Sequence, residues 1–421
     1  MIKKKPSRIN HRLEKDGLGL KAIPKSALYG IRTVRAFESL PVSTVKLCEL
    51  PDFISSMAII RRSCAQTNAQ LGFISAVKSR AIIEACDELI VGAHHENCVV
   101  DFLQGSLSSL ENVDEVVANL ALLNLGRQCG EYEFISPQVD ISGAQSAHQV
   151  YSASIRIGLL MATRRLIGEL RFLADELGRN GSIFANQFKV SGQRLTDAQK
   201  EQWNQKILFH CLYIRGQVEK LITCSQALTV ISMVNKSPAG YQDSELKYCE
   251  MTSRNINEVT KLGIIVTSDE VAPNQIDILN LSGILKSIAV GLSQCHQDLH
   301  DMIVQFVNER STTLIASEQS YAILGTLVSQ VLCEVVGNDV TVALASDVGR
   351  THYAHVESVA AWSTLKSVCH IESATTALRT HFLNDSSSWW QLLIANIARS
   401  PRDLASAMQI TQPSSPGSSL F

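Results

Sequence analysis

Apolar residues in this chain recur mostly at spacings of three and four, the period of a helix with one buried face. Phe53, Met57, Ile60 and Cys64 follow that period, and Ala81, Ala85 and Leu89 repeat it. Pro51 stands where a first-turn proline opens a helix. From about residue 145 to 383 the pattern predicts long helices over 150–178, 199–234, 275–307, 322–336 and 355–383. Ile278, Leu281, Leu285 and Ile288 carry the stripe of the third of these. Helices this long, with few strand signals, predict an all-α extended bundle.

Polar and punctuated stretches set the expected breaks. Gly17, Gly19, Pro24 and Gly30 divide short extended and turn segments near the start. The polar run 106–114 reads as a connection between helical stretches at 99–105 and 115–126. The run 129–137 is turn-rich. Residues 311–319 read as a small-polar loop, and Gly337-Asn338-Asp339 as a break after a buried helix. The chain is expected to divide into 1–141, a central bundle at 142–385 and a reduced C-terminal region at 386–421, whose Ser/Pro-rich end is expected to be disordered.

Composition narrows the function classes. The 421 residues are 45% hydrophobic, ample for more than one core layer. The net charge of -2 gives no electrostatic footprint for nucleic acid or an anionic membrane. No apolar run is expected to reach membrane-spanning length; Ile155 to Met161 is interrupted by Arg156 and closed by Arg164-Arg165. The eleven cysteines form no C-x-x-C pair, and an odd, unpatterned set fits reduced thiols in the cytoplasm. His296/His300 and His352/His355 have metal-like spacing, but without a third ligand the preferred reading is a solvated helix face. No metal or cofactor is expected. His94-His95 reads as a surface loop, and Trp389-Trp390 as a packing anchor for the tail.

Four stretches carry a resemblance: Arg12, Glu14, Asp16 and Gly19 followed by Tyr29-Gly30; Val100-Asp101 with Gln104-Gly105, Asn112 and 115–119; Gly130-Glu131-Tyr132-Glu133 with Pro137; and Val336 to Asp339 with Thr341-Val342. In this order and spacing they resemble the aspartase/fumarase superfamily, most of all its aspartate ammonia-lyase branch. The resemblance implies a three-part helical subunit in a tetramer, with each active site assembled from three subunits. It also implies removal of a proton beside a carboxylate with expulsion of an amine or hydroxyl. That chemistry needs a base, donors for developing charge and anchors for two carboxylates.

The resemblance assigns each of the family's functional positions a residue in this chain. Its carboxylate-anchoring G-T-S loop becomes 106–112, where Ser108 keeps the serine, Leu107 replaces the threonine and Glu111 adds an anion. Its H-x-N becomes Asp140-Ile141-Ser142. Its S-T-N-D stretch keeps Ser146 after Gln145 but replaces the Thr-Asn pair with Ala147-His148. In its G-R-T-[HQ] loop, Arg194 replaces the His or Gln. In the signature loop the base serine falls on Thr313, the lysine on Gln319 and the asparagine on Tyr321, with Ala316-Ser317 for Met-Pro; a later asparagine falls on Ala354.

So many losses together argue against ordinary aspartase activity. The preferred reading is a non-catalytic oligomeric paralogue, structural or regulatory: a homotetramer, or one mixed with an active paralogue, with a small carboxylate as ligand. The alternative is a repurposed lyase acting on a succinyl-type substrate. It would use His148 and Thr313 as acid/base groups, Arg194 as anion anchor, and Ser108, Ser146, Ser317 and Gln319 as hydrogen-bonding lining. Beside these stand plainer roles: His148 as a polar helix-start residue, Arg194 paired with Asp197, and Thr312-Thr313 as a helix cap.

Overall fold

The computed structural model describes residues 11–39, 43, 45–143, 145–187, 197–233, 242–268, 275–308, 315–348 and 356–383. Ten α-helices carry most of them: α1 (Ile31–Ser39), α2 (Pro51–Gln70), α3 (Ala76–Ile90), α4 (Ser106–Asn124), α5 (Ala147–Gln187), α6 (Asp197–Ala227), α7 (Gln242–Thr260), α8 (Gln275–Asn308), α9 (Ile315–Val348) and α10 (Glu357–Ala377). The fold is the long helical bundle expected. Two small sheets accompany it. β1 (His11–Asp16) pairs antiparallel with β2 (Gly19–Pro24), and β3 (Val230–Ser232) pairs parallel with β4 (Ile265–Thr267). The chain forms two compact units: Met1–Arg165, Leu221–Gly283 and Gly337–Val368 make the first; Leu166–Lys220, Ile284–Val336 and Cys369–Phe421 make the second.

In the first unit the predicted stripe of α2 is buried: Phe53, Met57, Ile60 and Cys64 are almost fully covered. Ala81, Ala85 and Leu89 of α3 are buried likewise. The motif residues behind the resemblance turn out to hold one polar network. Arg12 donates to the carbonyls of Pro24, Ala27 and Tyr29, at 3.2, 2.6 and 2.7 Å, and to Glu14. Glu14 accepts from the Ile31 amide at 2.8 Å. The buried Glu115 carboxylate accepts from the amides of Gly30, Arg32 and Thr33 and from the Thr33 hydroxyl. Asn119 donates to the Leu28 carbonyl and Tyr132 and accepts from the Gly130 amide. Asn112 accepts from Val99 and donates to the Asn97 carbonyl. Gly105, at φ +90°, turns the chain into α4 with a backbone that side-chain-bearing residues rarely adopt.

In the second unit Leu166, Leu170, Leu173, Trp203, Ile207, Ile214, Leu285, Ile288 and Leu292 form the apolar core. Polar pins cross it. Asp298 accepts from Lys206 at 2.6 Å and pairs with His210 at 2.8 Å, and the Tyr213 hydroxyl donates to the Ser287 carbonyl at 2.7 Å.

Several expectations are corrected. Residues 106–114 are the first turns of α4 rather than a connection: Asn112 accepts from the Val99 and Val100 amides, and Asp114 accepts from the buried Arg61. Helix α9 already contains residues 315–319 and runs unbroken through Gly337-Asn338-Asp339. There Asn338 donates to Ser367 at 3.1 Å and Asp339 accepts from Ser282 at 2.8 Å, so neighbouring helices satisfy the polar groups that predicted a break. His95 is buried and bonds the Leu89 carbonyl at 2.8 Å instead of lying on the surface. His296 is also buried, its ring so close to Gly325 that a Cβ there would come within 1.9 Å. Over Ile276–Met302 and Val328–Asp347 the helices are long and apolar enough to cross a membrane by length and composition, contrary to expectation. A bundle helix with apolar neighbours on several sides has the same composition. Trp389-Trp390 and His352/His355 lie outside the described residues.

Candidate functional site

The site is built on the first turns of α5, in the first unit. Arg61, buried on α2, holds Asp114 of α4 through two bonds of 2.7 Å and donates to Gln145 at 2.7 Å. Gln145 in turn donates to the Tyr248 hydroxyl at 3.0 Å. This network fixes the segment leading into α5. Ser146 follows, and its carbonyl accepts from the Val150 amide at 3.0 Å as the helix begins. Tyr151, one turn in, stacks edge-on against Phe53 with centroids 5.2 Å apart. Its hydroxyl bonds Ser358 on α10 at 2.7 Å, bringing the start of that helix against α5.

His148 therefore faces Glu357, the first residue of α10: His148 Nδ1 lies 3.9 Å from Glu357 Oε2. That is too long for a hydrogen bond, and neither atom finds another partner. Glu357 is 3% exposed. Burial raises its pKa, while the Ser152 hydroxyl, His148 and Arg156 act to favour the charged form. Arg156 also donates to Asp277 at 3.0 Å and to the Ala227 carbonyl at 3.1 Å. A cavity of about 30 Å³ adjoins these groups, lined by His148, Gln149, Ser152, Arg156, Val230 and Ser232, among others. It has room for a water or two, not for a four-carbon dicarboxylate.

Of the site residues expected from sequence, His148 lines this cavity. Ser108, in the first turn of α4, and Ser146 do not. Thr313 and Arg194 lie outside the described residues, as do the side chains of Ser317 and Gln319, whose backbone is helical. Glu111 does not stand as a bare anion, because it pairs with Arg32. Asp140 is held by Lys78 at 2.8 Å and accepts from the Ser136 amide. Among the described residues, no three His, Cys, Asp or Glu side chains gather as a metal set. Cys64, Cys86, Cys98, Cys211, Cys249 and Cys295 are buried, and burial pushes the Cys295 thiol up to about 12. Sequence reasoning missed Glu357. A signal that could have pointed to this place is the run His148, Ser152, Arg156, three polar side chains at spacings of four.

Residues 19–319 match the family described as lyase. The chain belongs to this family. Its kin lie in the aspartase/fumarase superfamily, as the motifs led one to expect. The lyase-family chain is 28% identical over 382 residues to the aspartate ammonia-lyase of Helicobacter pylori strain J99, covering 88% of this chain and 82% of that one. It is 30% identical over 391 residues to the aspartate ammonia-lyase of Pseudomonas aeruginosa, covering 88% and 81%. Among solved structures it is similar to the native form of a fumarate lyase:delta crystallin from Brucella melitensis, with a TM-score of 0.75 and 25% identity over 95% of this chain and 94% of that one.

Proposed function

We propose that this lyase-family chain no longer eliminates ammonia from aspartate and serves as a non-catalytic oligomeric paralogue, structural or regulatory. One observation carries the reading. Where the family resemblance gives a Thr-Asn pair for binding a carboxylate, this chain has His148 facing the buried carboxylate of Glu357 at 3.9 Å. A dicarboxylate finds no room there, because the adjoining cavity of about 30 Å³ holds a water or two. Leu107, 61% exposed, offers no hydroxyl at the other anchor.

The oligomer is part of the proposal. Only 44% of the apolar window in α8 and 33% of that in α9 are buried within this chain. Val340 and Leu344 remain 56% and 65% exposed. A homotetramer, or one mixed with an active paralogue, would cover such surface, in a cytoplasmic setting that suits the free cysteines.

A second reading has its own support. A histidine backed by a buried carboxylate is also an arrangement for general acid/base work. On that reading the chain is a repurposed lyase on a succinyl-type substrate, with His148 as acid/base, Thr313 as a second such group, and Ser108, Ser146, Arg194, Ser317 and Gln319 as lining. The deciding experiment follows fumarate absorbance with the purified protein on L-aspartate, malate and a panel of succinyl adducts, beside an active aspartase. Silence from a folded oligomer is expected. Turnover lost in His148→Ala would establish the second reading.

A further inference from the structure

A groove between α5 and α6, within the second unit, has an exposed apolar lining. Phe172 of α5 and Leu208 and Leu212 of α6 line it, and each is more than half exposed. Leu208 and Leu212 are four residues apart and so stand on one face of α6. The helices come close together here. The Cys211 thiol donates to the Ala174 carbonyl at 3.2 Å, and a Cβ on Gly178 would lie 3.4 Å from Cys211 Sγ. Arg215 pairs with Asp175 at 2.9 Å and ties the two helices beside the groove. The opening, about 640 Å³, has room for several large side chains. Apolar surface gathered in this way marks a place where something packs.

The chain itself arrives at this groove. After α10 comes a short helical stretch, Leu378–Leu383. In it Arg379 bonds Glu169 of α5 at 3.3 Å and lies over the Phe172 ring, 5.9 Å from its centroid. Thr376 donates to the same Glu169 carboxylate at 3.3 Å. Leu383 stands about one helical turn beyond Arg379, so the chain leaves the described residues close to the end of the groove that Phe172 marks. In the sequence that follows, Trp389, Trp390, Leu393, Ile394 and Ile397 are apolar positions at spacings of three and four. Trp389 comes six residues after Leu383, a reach of roughly 20 Å. From Phe172 to Arg179 the groove runs about 10 Å along α5.

We propose that residues 386–398 of the same chain dock in this groove, with Trp389, Leu393 and Ile397 against Phe172, Leu208 and Leu212. The connection from Leu383 is long enough to reach the whole groove. It is also short enough to hold the segment there at an effective concentration on the order of millimolar, which favours it over any free partner. Trp389-Trp390 then has the anchoring role that its sequence suggests. The docking is independent of whether the chain turns over a substrate.

The test uses the full chain and reads hydrogen exchange of the 386–398 amides by mass spectrometry. In wild type these amides are expected to exchange about tenfold or more slowly than in a free peptide of the same sequence. Leu208→Glu with Leu212→Glu is expected to remove that protection while far-ultraviolet dichroism stays unchanged, since both side chains are more than half exposed. The reciprocal variant, Trp389→Ser with Trp390→Ser, is expected to uncover the groove. That is read as increased binding of a fluorescent apolar dye, which the α6 substitutions then abolish. Wild-type amides exchanging at the free-peptide rate would overturn the proposal, as would protection that survives the α6 substitutions. Protection that varies with protein concentration would put the segment of a second copy in the groove. A lower molar mass of the α6 variant with its protection intact would put another face of a second copy there. Either outcome overturns the proposal. Should the α6 variant not fold, the dye decides: a rise on the tryptophan variant supports the proposal, and no rise overturns it.

Discussion

Gly30 and Glu115 fit each other so closely that neither can change alone. The Gly30 amide donates to Glu115 Oε2 at 2.7 Å, and a Cβ on Gly30 would come within 2.6 Å of Glu115 Cδ and 2.4 Å of the Tyr132 hydroxyl. Gly30→Ala should therefore destabilise the fold by about 1–3 kcal/mol, the range for overpacking a filled interior. Glu115→Ala should cost at least as much, because the amides of Gly30, Arg32 and Thr33 lose their acceptor. Urea midpoints of the two variants and of wild type would measure both effects. A Gly30→Ala midpoint equal to wild type would show that the neighbouring side chains give way.

Arg61 and Asp114 make a second test of the same unit. Both are buried and joined by two bonds of 2.7 Å. Asp114→Ala strands a buried guanidinium and is expected to cost about 3–5 kcal/mol. Replacing both partners with apolar residues, Arg61→Met with Asp114→Leu, should recover much of that loss, since no buried charge remains. Equilibrium unfolding of the single and double variants checks the contrast, and a double variant as unstable as Asp114→Ala would contradict it.

The second unit should show a specific acid sensitivity at Asp298. Burial alone would raise this carboxyl, but Lys206 and His210 outweigh it and hold the carboxyl below its usual range. Its folded pKa thus lies below the unfolded one. The resulting stabilisation is present above the ordinary aspartate value of about 3.9 and is lost as the pH falls through the lowered folded value. Asp298→Asn should be less stable than wild type near neutrality, and the gap should narrow as the pH falls below about 4. Chemical denaturation across that range reads the gap; parallel curves would mean the cluster contributes nothing.

Assembly should depend on the uncovered apolar face of α9. Leu344→Glu and Val340→Glu place charges on side chains that are 65% and 56% exposed within one chain. If copies pack there, either variant should shift the molar mass by light scattering toward smaller species, with helicity unchanged. An unaltered mass in both would remove this face from the assembly.

Pattern reading captured what is carried by apolar side chains. The stripes of α2, α3 and α8 were legible because each is made of apolar residues at helical spacing. It faltered at several places where a buried face is polar. Helix α7 went unpredicted because its buried face includes Thr252 and Asn255, which meet the Thr67 hydroxyl at 3.1 and 2.9 Å. The start of α4 read as a connection because Ser109, Asn112 and Asp114 are polar, though all are buried. Asn338 and Asp339 misled in the same way. A polar residue looks like loop until a distant partner is known, and that partner is invisible to local periodicity. The site divides likewise. His148 could be found from its place in a motif, but Glu357, more than two hundred residues later, is an ordinary first-turn acid until the fold brings it to His148.

The network of Arg12, Glu14, Gly30, Glu115, Asn119 and Tyr132 also bears on how such chains are sorted. These residues hold backbone turns together, and none of them lines the cavity at His148. Selection for a protein that folds can preserve them after selection for turnover has ended. Kinship judged by these positions records a shared architecture. A genome survey that passes an activity along with them would assign it on the strength of residues whose work is to close turns.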